Sequence, residues 1–260
     1  MIDTHAHLNL PDFQSDLDAV IERARVAGVK FIINVGIDIP SSQKAIALAA
    51  QYKSLFASVG VHPHDAQKVS EADWITLEKL LQEPKVVALG EIGLDYYKNY
   101  APHDIQQVIF RKQLALAQKY DKPVIIHCRE AHKDCLEILN EVKWSGMRGV
   151  AHCFSGDLEV ARQYIELGFL LSVGGPVTYP NAVKLREVVQ QIDIKYLMLE
   201  TDCPYLTPQP KRGQRNEPAY LTYCVEQWSK IYRLSPEEIG RITTANALKL
   251  FKLEVNTTNP

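Results

Sequence analysis

Eight short runs rich in Val, Ile and Leu recur along the chain, at 2–8, 29–36, 55–62, 86–95, 123–129, 148–156, 169–175 and 196–202. Most are apolar on both parities, the pattern of strands buried on both faces. Amphipathic stretches of helical length separate them. Leu17, Val20, Ile21 and Ala24 share one helical face, and Ile109, Leu114, Leu116 and Ala117 do so more loosely. Strand alternating with helix eight times predicts an α/β fold, a (β/α)8 TIM barrel, which typically needs about 250 residues. A doubly wound open sheet is the rival, but no G-x-G-x-x-G follows the first run. Residues 204–218, PYLTPQPKRGQRNEP, form a Pro- and Gly-dense loop after the eighth run, of a length that often carries function. Ser235-Pro236-Glu237-Glu238 then reads as the capped start of a last helix, with Ile239, Ile242, Leu248 and Phe251 on its apolar face. We expect a single domain over 1–253 and a disordered tail over 254–260.

Polar residues interrupt this pattern at particular places. In a regular first strand Asp3, His5 and His7 share a face. Three polar groups on one dry face are costly, whereas a metal there accounts for them. Chemistry in such barrels sits at the C-terminal ends of strands, and there the chain places Glu91, His127, His152 and Asp202. Alternation puts Glu91 with Val87 and Leu89, His127 with Ile125, His152 with Val150, and Asp202 with Glu200, each on an inward face. Cys128, Cys153 and Cys203 directly follow three of these positions, so alternation turns them towards the helices as small apolar side chains. All five cysteines read as non-ligands.

Four histidines and two carboxylates suit Zn, Mn or another divalent first-row metal more than Ca, and the sequence does not choose among Zn, Mn, Mg, Ni and Co. Six donors exceed the three or four usual for one catalytic zinc. The expectation is two divalent ions bridged by Glu91, one held by His5, His7 and Asp202, the other by His127 and His152. Paired ions roughly 3.5–4 Å apart can clamp the attacking and leaving oxygens of a hydrolytic displacement.

Charge and composition narrow the partners. A formal net charge of -2 over 260 residues argues against a broad basic surface for duplex DNA. Two bound ions would add four positive charges at one point. No apolar run approaches the roughly 20 residues needed to span a bilayer. An odd five cysteines, with neither a basic start nor an apolar leader, point to a reduced cytoplasmic protein.

The motifs DTHAHL, GVHPHD, GEIGLDYY, PVIIHCREA, AHCFSG, LETDCPYL and RNEP occur in this order across nearly the whole chain. In them the sequence resembles the TatD family of metal-dependent deoxyribonucleases, within the wider amidohydrolase-like barrels. The resemblance implies metal ligands at His5, His7, Glu91, His127, His152 and Asp202. Some members lack the first His-x-His pair; this chain keeps it, which favours two ions.

The implied reaction is phosphodiester hydrolysis of DNA, exonucleolytic from 3′ ends of single strands. A metal-activated water would attack, with Asp202 as ligand and general base and Glu91 as the bridge. His64, Arg129 and Arg215 are expected to face substrate, although Arg215 could instead brace its loop through Glu217. Lys211, Arg212 and His62 divide evenly between a substrate role and an ordinary one. Asp3 and Glu200 are expected to support the ligand histidines from below. Tyr96, Tyr97 and Phe154 could stack on bases or simply pack. No obligate protein partner is inferred. Two other readings remain: hydrolysis of an ester or amide, as in a D-aminoacyl-tRNA deacylase-like enzyme, and a non-enzymatic metal store.

Overall fold

The computed structural model describes residues 1–253, so the expectation for 254–260 falls outside the described residues. Eight parallel strands follow one another in chain order: β1 (Ile2–Ala6), β2 (Phe31–Val35), β3 (Leu55–Val59), β4 (Val86–Asp95), β5 (Val124–Arg129), β6 (Gly149–Ala151), β7 (Phe169–Val173) and β8 (Leu197–Leu199). The sheet closes where the chain past β8 runs beside β1. Ala6 pairs with Cys203, His7 N–H donates to the Cys203 carbonyl at 2.8 Å, and Asp202 N–H donates to the His5 carbonyl at 2.8 Å. Helices fill the connections and cover the outside, which makes the fold the expected (β/α)8 barrel.

Apolar side chains on the two faces of each strand build two layers. Outward residues such as Ile32, Leu55, Ile126 and Leu171 pack with Phe110, Tyr164 and Trp228 from the helices. Inward residues Ile2, Ile33, Val35, Ala88, Ile125, Val150 and Met198 fill the barrel. The last helix, Pro236–Phe251, starts with the anticipated reciprocal cap: Glu238 N–H donates to Ser235 Oγ, and Ser235 N–H to the Glu238 carboxylate. Its far end lays Ala247, Leu250 and Phe251, with Leu253, against the barrel interior and closes the end where the strands begin.

Simple alternation fails in two strands, and both departures matter to the site. Between the pairs Leu89–Val124 and Ile92–Ile126, β4 has one residue more than β5. Ala88 therefore faces inward and Leu89 outward, contrary to the expectation that Leu89 shares the face of Glu91. The extra residue resets the parity and brings Glu91 inward, leaving Ile92 and Leu94 outside. The same slip occurs in β1 between Asp3–Ile32 and Ala6–Asn34. Ile2 and His5 face the interior, but Asp3 lies level with Ile32 on the helix side. Its carboxylate accepts from Thr201 N–H at 2.9 Å and from the Thr201 hydroxyl. Asp3 thus ties β1 to the end of β8 instead of standing beneath the histidine rings.

Candidate metal centre

Strand ends β1, β4, β5, β6 and β8 bring His5, His7, Glu91, His127, His152 and Asp202 around one point. Glu91 is central and 3% exposed. Its Oε2 lies 3.4 Å from His5 Nε2 and 3.6 Å from His7 Nε2, while Asp202 Oδ1 lies 3.7 and 3.4 Å from the same two nitrogens. Its Oε1 lies 2.9 Å from both His127 Nδ1 and His152 Nε2. One carboxylate thus offers one oxygen to each of two donor groups.

These spacings fit a divalent cation. Donors bound at about 2.0–2.2 Å to one ion stand about 2.8–3.6 Å apart at ordinary coordination angles. His5 Nε2 and His7 Nε2 are 3.1 Å apart, two imidazole nitrogens aimed at a common point. His152 Nε2 is buried and close to Glu91, yet not aligned to hydrogen-bond with it. That is the arrangement of two groups converging on a third rather than bonding to each other.

The second nitrogen of two rings is held from behind, the usual arrangement of metal-binding histidines. His7 Nδ1 lies 3.1 Å from the Val35 carbonyl, and His127 Nε2 lies 3.0 Å from Asp95 Oδ2. His152 Nδ1 faces Glu200 Oε2 at 3.6 Å. Glu200, fully buried, is fixed by the Ser172 hydroxyl and by Cys153 N–H, and lies beside His152 without hydrogen-bonding to it. Asp95 escapes a sequence reading that ends the fourth strand at Gly90-Glu91, because β4 continues four residues further, to Asp95. Counting by two from Glu91 through Gly93 would have found it.

Burial works against ionisation of Glu91, but the surrounding imidazoles outweigh it and hold the carboxyl well below its usual range. Burial also opposes charge on His127, yet its hydrogen bonds to Asp95 and Glu91 raise it to about 9. For His62, 3.5 Å from Glu91 Oε1, burial prevails and lowers the ring to about 4. His62 is therefore a neutral neighbour of the centre, close enough to join Glu91 and His127 around an ion.

Above these groups opens a cavity of about 690 Å³, lined among others by His64, Lys98, Arg129, Asp202 and Tyr205. His64 Nε2 lies 2.8 Å from Asp95 Oδ2, which places His64 in the cavity wall. Arg129 lies at the mouth against Tyr97. Arg215 does not reach the cavity: it forms a two-pronged pair with Asp16 and covers the Phe13 ring. Its expected substrate role gives way to bracing of the 204–218 loop. The anticipated partner Glu217 is taken by Arg23. Lys211 and Arg212 lie over Tyr220 and Tyr179. Tyr96 stacks on His103 and bonds to Asp134, and Phe154 is 4% exposed, so both pack. Cys153 departs from the outward expectation. It follows the end of β6 at a left-handed backbone angle, φ 45°, and lines the cavity.

Residues 2–252 match the family model described as TatD related DNase. The chain is 46% identical to the uncharacterized metal-dependent hydrolase YabD of Bacillus subtilis, covering 97% of this chain and 99% of that one. It is 35% identical to the 3'-5' ssDNA/RNA exonuclease TatD of Klebsiella pneumoniae, covering 98% and 99%. The crystal structure of the TatD homologue YjjV from Escherichia coli superposes with a TM-score of 0.93 at 35% identity, covering 98% of both chains. With fold, strand-end donors and full-length matches in agreement, this chain belongs to the TatD-related DNase family of metal-dependent hydrolases.

Proposed function

We propose that the protein is a two-metal phosphodiesterase that removes nucleotides from the 3′ ends of single-stranded DNA. The division of Glu91 between two donor groups carries this reading. His5, His7 and Asp202 would hold one ion, and His127 and His152 the other, with Glu91 between them. Zn, Mn, Ni and Co suit this imidazole-rich donor set, whereas Mg favours oxygen donors. Bound divalent cations supply Lewis acidity and a more acidic water. The protein's own share is positional. Asp202, which lines the cavity, accepts the proton of the attacking water. His64 and Arg129 offer donors to phosphate oxygens. A cavity closed at its base suits a chain end better than a continuous duplex. The 3′ polarity is taken from the named activity of the Klebsiella relative.

Residues 1–253 act as one domain in this proposal, because the last helix completes the barrel interior. The reaction belongs in the reducing cytoplasm, consistent with five free cysteines. No helix among the described residues is long and apolar enough to cross a membrane.

The test is a time course on 3′- and 5′-labelled single-stranded DNA, with Mg, Mn or Zn returned to metal-stripped protein. Metal-dependent loss of the 3′ label first, abolished in His127→Ala and Asp202→Asn, is the expected result. DNA left intact under every metal would overturn the reading, and turnover of an aminoacyl ester by the same protein would replace it with acyl hydrolysis.

A further inference from the structure

We propose that Tyr97, Lys98 and Arg129 form a second phosphate subsite at the cavity mouth, one nucleotide away from the donor cluster. The proposal rests on the nuclease reading and specifies which substrates the site favours. Lys98 and Arg129 are the two Lys or Arg side chains in the cavity lining; its other charged groups are carboxylates and imidazoles. The Arg129 guanidinium carbon lies 3.8 Å from the centre of the Tyr97 ring, and Lys98 Nζ 5.5 Å from the same point. Arg23, Arg111, Arg148 and Arg215 each meet a carboxylate elsewhere on the protein. Among the described residues, neither Arg129 nor Lys98 has such a partner.

Stacking uses the flat face of a guanidinium and leaves its edge N–H groups available, the geometry that suits phosphate. It also fixes the side chain before substrate arrives, which reduces the entropy lost on binding. Exposed cations with no partner are common on protein surfaces; two of them gathered on one aromatic ring, and both in the cavity lining, are a directed arrangement. The neighbouring backbone holds the arrangement in register with the donor cluster. Asp95 Oδ1 accepts from the backbone N–H groups of Tyr97 and Lys98, both at 2.9 Å, while its Oδ2 contacts His127. Asp95 pairs laterally with Arg129, and Tyr96 N–H donates to the Arg129 carbonyl at 3.0 Å. Arg129 follows His127 by two strand residues, about 6.6 Å further towards the mouth. That is the scale of one step along an extended nucleic-acid backbone.

A substrate with a phosphate on the nucleotide preceding the scissile bond should therefore bind more tightly than one without it. The experiment compares the dinucleotides dTpdT and pdTpdT, which differ by the 5′ phosphate, on metal-loaded protein, using KM and titration calorimetry. In the wild type the added phosphate should improve KM and Kd by about tenfold or more. In Arg129→Met/Lys98→Met and in Tyr97→Ala the ratio should fall towards one. Tyr97→Phe, which keeps the ring, should retain it, as should Lys133→Met on the outer surface. The affinity for pdTpdT should also fall less steeply with added salt in the double variant than in the wild type. An equal ratio in wild type and double variant overturns the subsite. If neither dinucleotide is cleaved, calorimetry alone decides the subsite on the same ratio, and the nuclease reading stands or falls separately on the labelled single-stranded DNA.

Discussion

Asp95 has no exposed surface to speak of, yet its two oxygens serve two groups. One orients His127, and with it His64; the other fixes the backbone of Tyr97 and Lys98. The first of these contacts makes a measurable prediction. The Asp95 and Glu91 hydrogen bonds keep His127 protonated up to about pH 9 in the metal-free protein, against the pull of burial. A ligand nitrogen must lose its proton, so metal uptake at pH 7.5 should release roughly one proton from this ring, and affinity should fall as pH falls. Calorimetric titrations in two buffers of different ionisation heat would count it. Asp95→Asn should lower the release and weaken metal binding by about 10–100-fold. Unchanged proton release in that variant would mean that Asp95 does not set the protonation of His127.

Individual elements show why part of the site was readable and part was not. In β5 the alternation Ile125 in, Ile126 out, His127 in runs without interruption, and the sequence alone sufficed. The irregularities in β1 and β4 leave no comparable signature. An extra strand residue reverses the faces on either side of it, so Asp3 was placed with the histidines and Leu89 with Glu91. The pairing of Arg215 with Asp16 spans 199 positions and depends on how the last loop folds back, which no local pattern encodes. Gly93 makes the cost of β4's geometry testable. It lies opposite His127 at φ +139°, and a Cβ there would come 2.0 Å from the His127 carbonyl oxygen. Gly93→Ala should cost roughly 2–4 kcal/mol from conformation and crowding together. Denaturant titration would measure the loss, and metal content would show whether His127 moved with it. A neutral substitution would mean that β4 yields more readily than its contacts suggest.

On the scale of the whole molecule, length and strand–helix alternation were enough to predict a barrel, while the direction of access depends on the last helix. Ala247, Leu250, Phe251 and Leu253 belong to the same apolar cluster as Ile2 and Met198, so the barrel is closed below the donor groups. A site closed at its base imposes traffic rules on a polymer substrate. On the proposed exonuclease reading, a nucleotide released beside Glu91 leaves past the strand that delivered it, so the strand draws back between cuts. With DNA in large excess over protein, all chains should shorten in step and give a ladder of intermediates. Full-length strands coexisting with fully digested ones would instead reveal an exit that this closed base does not provide.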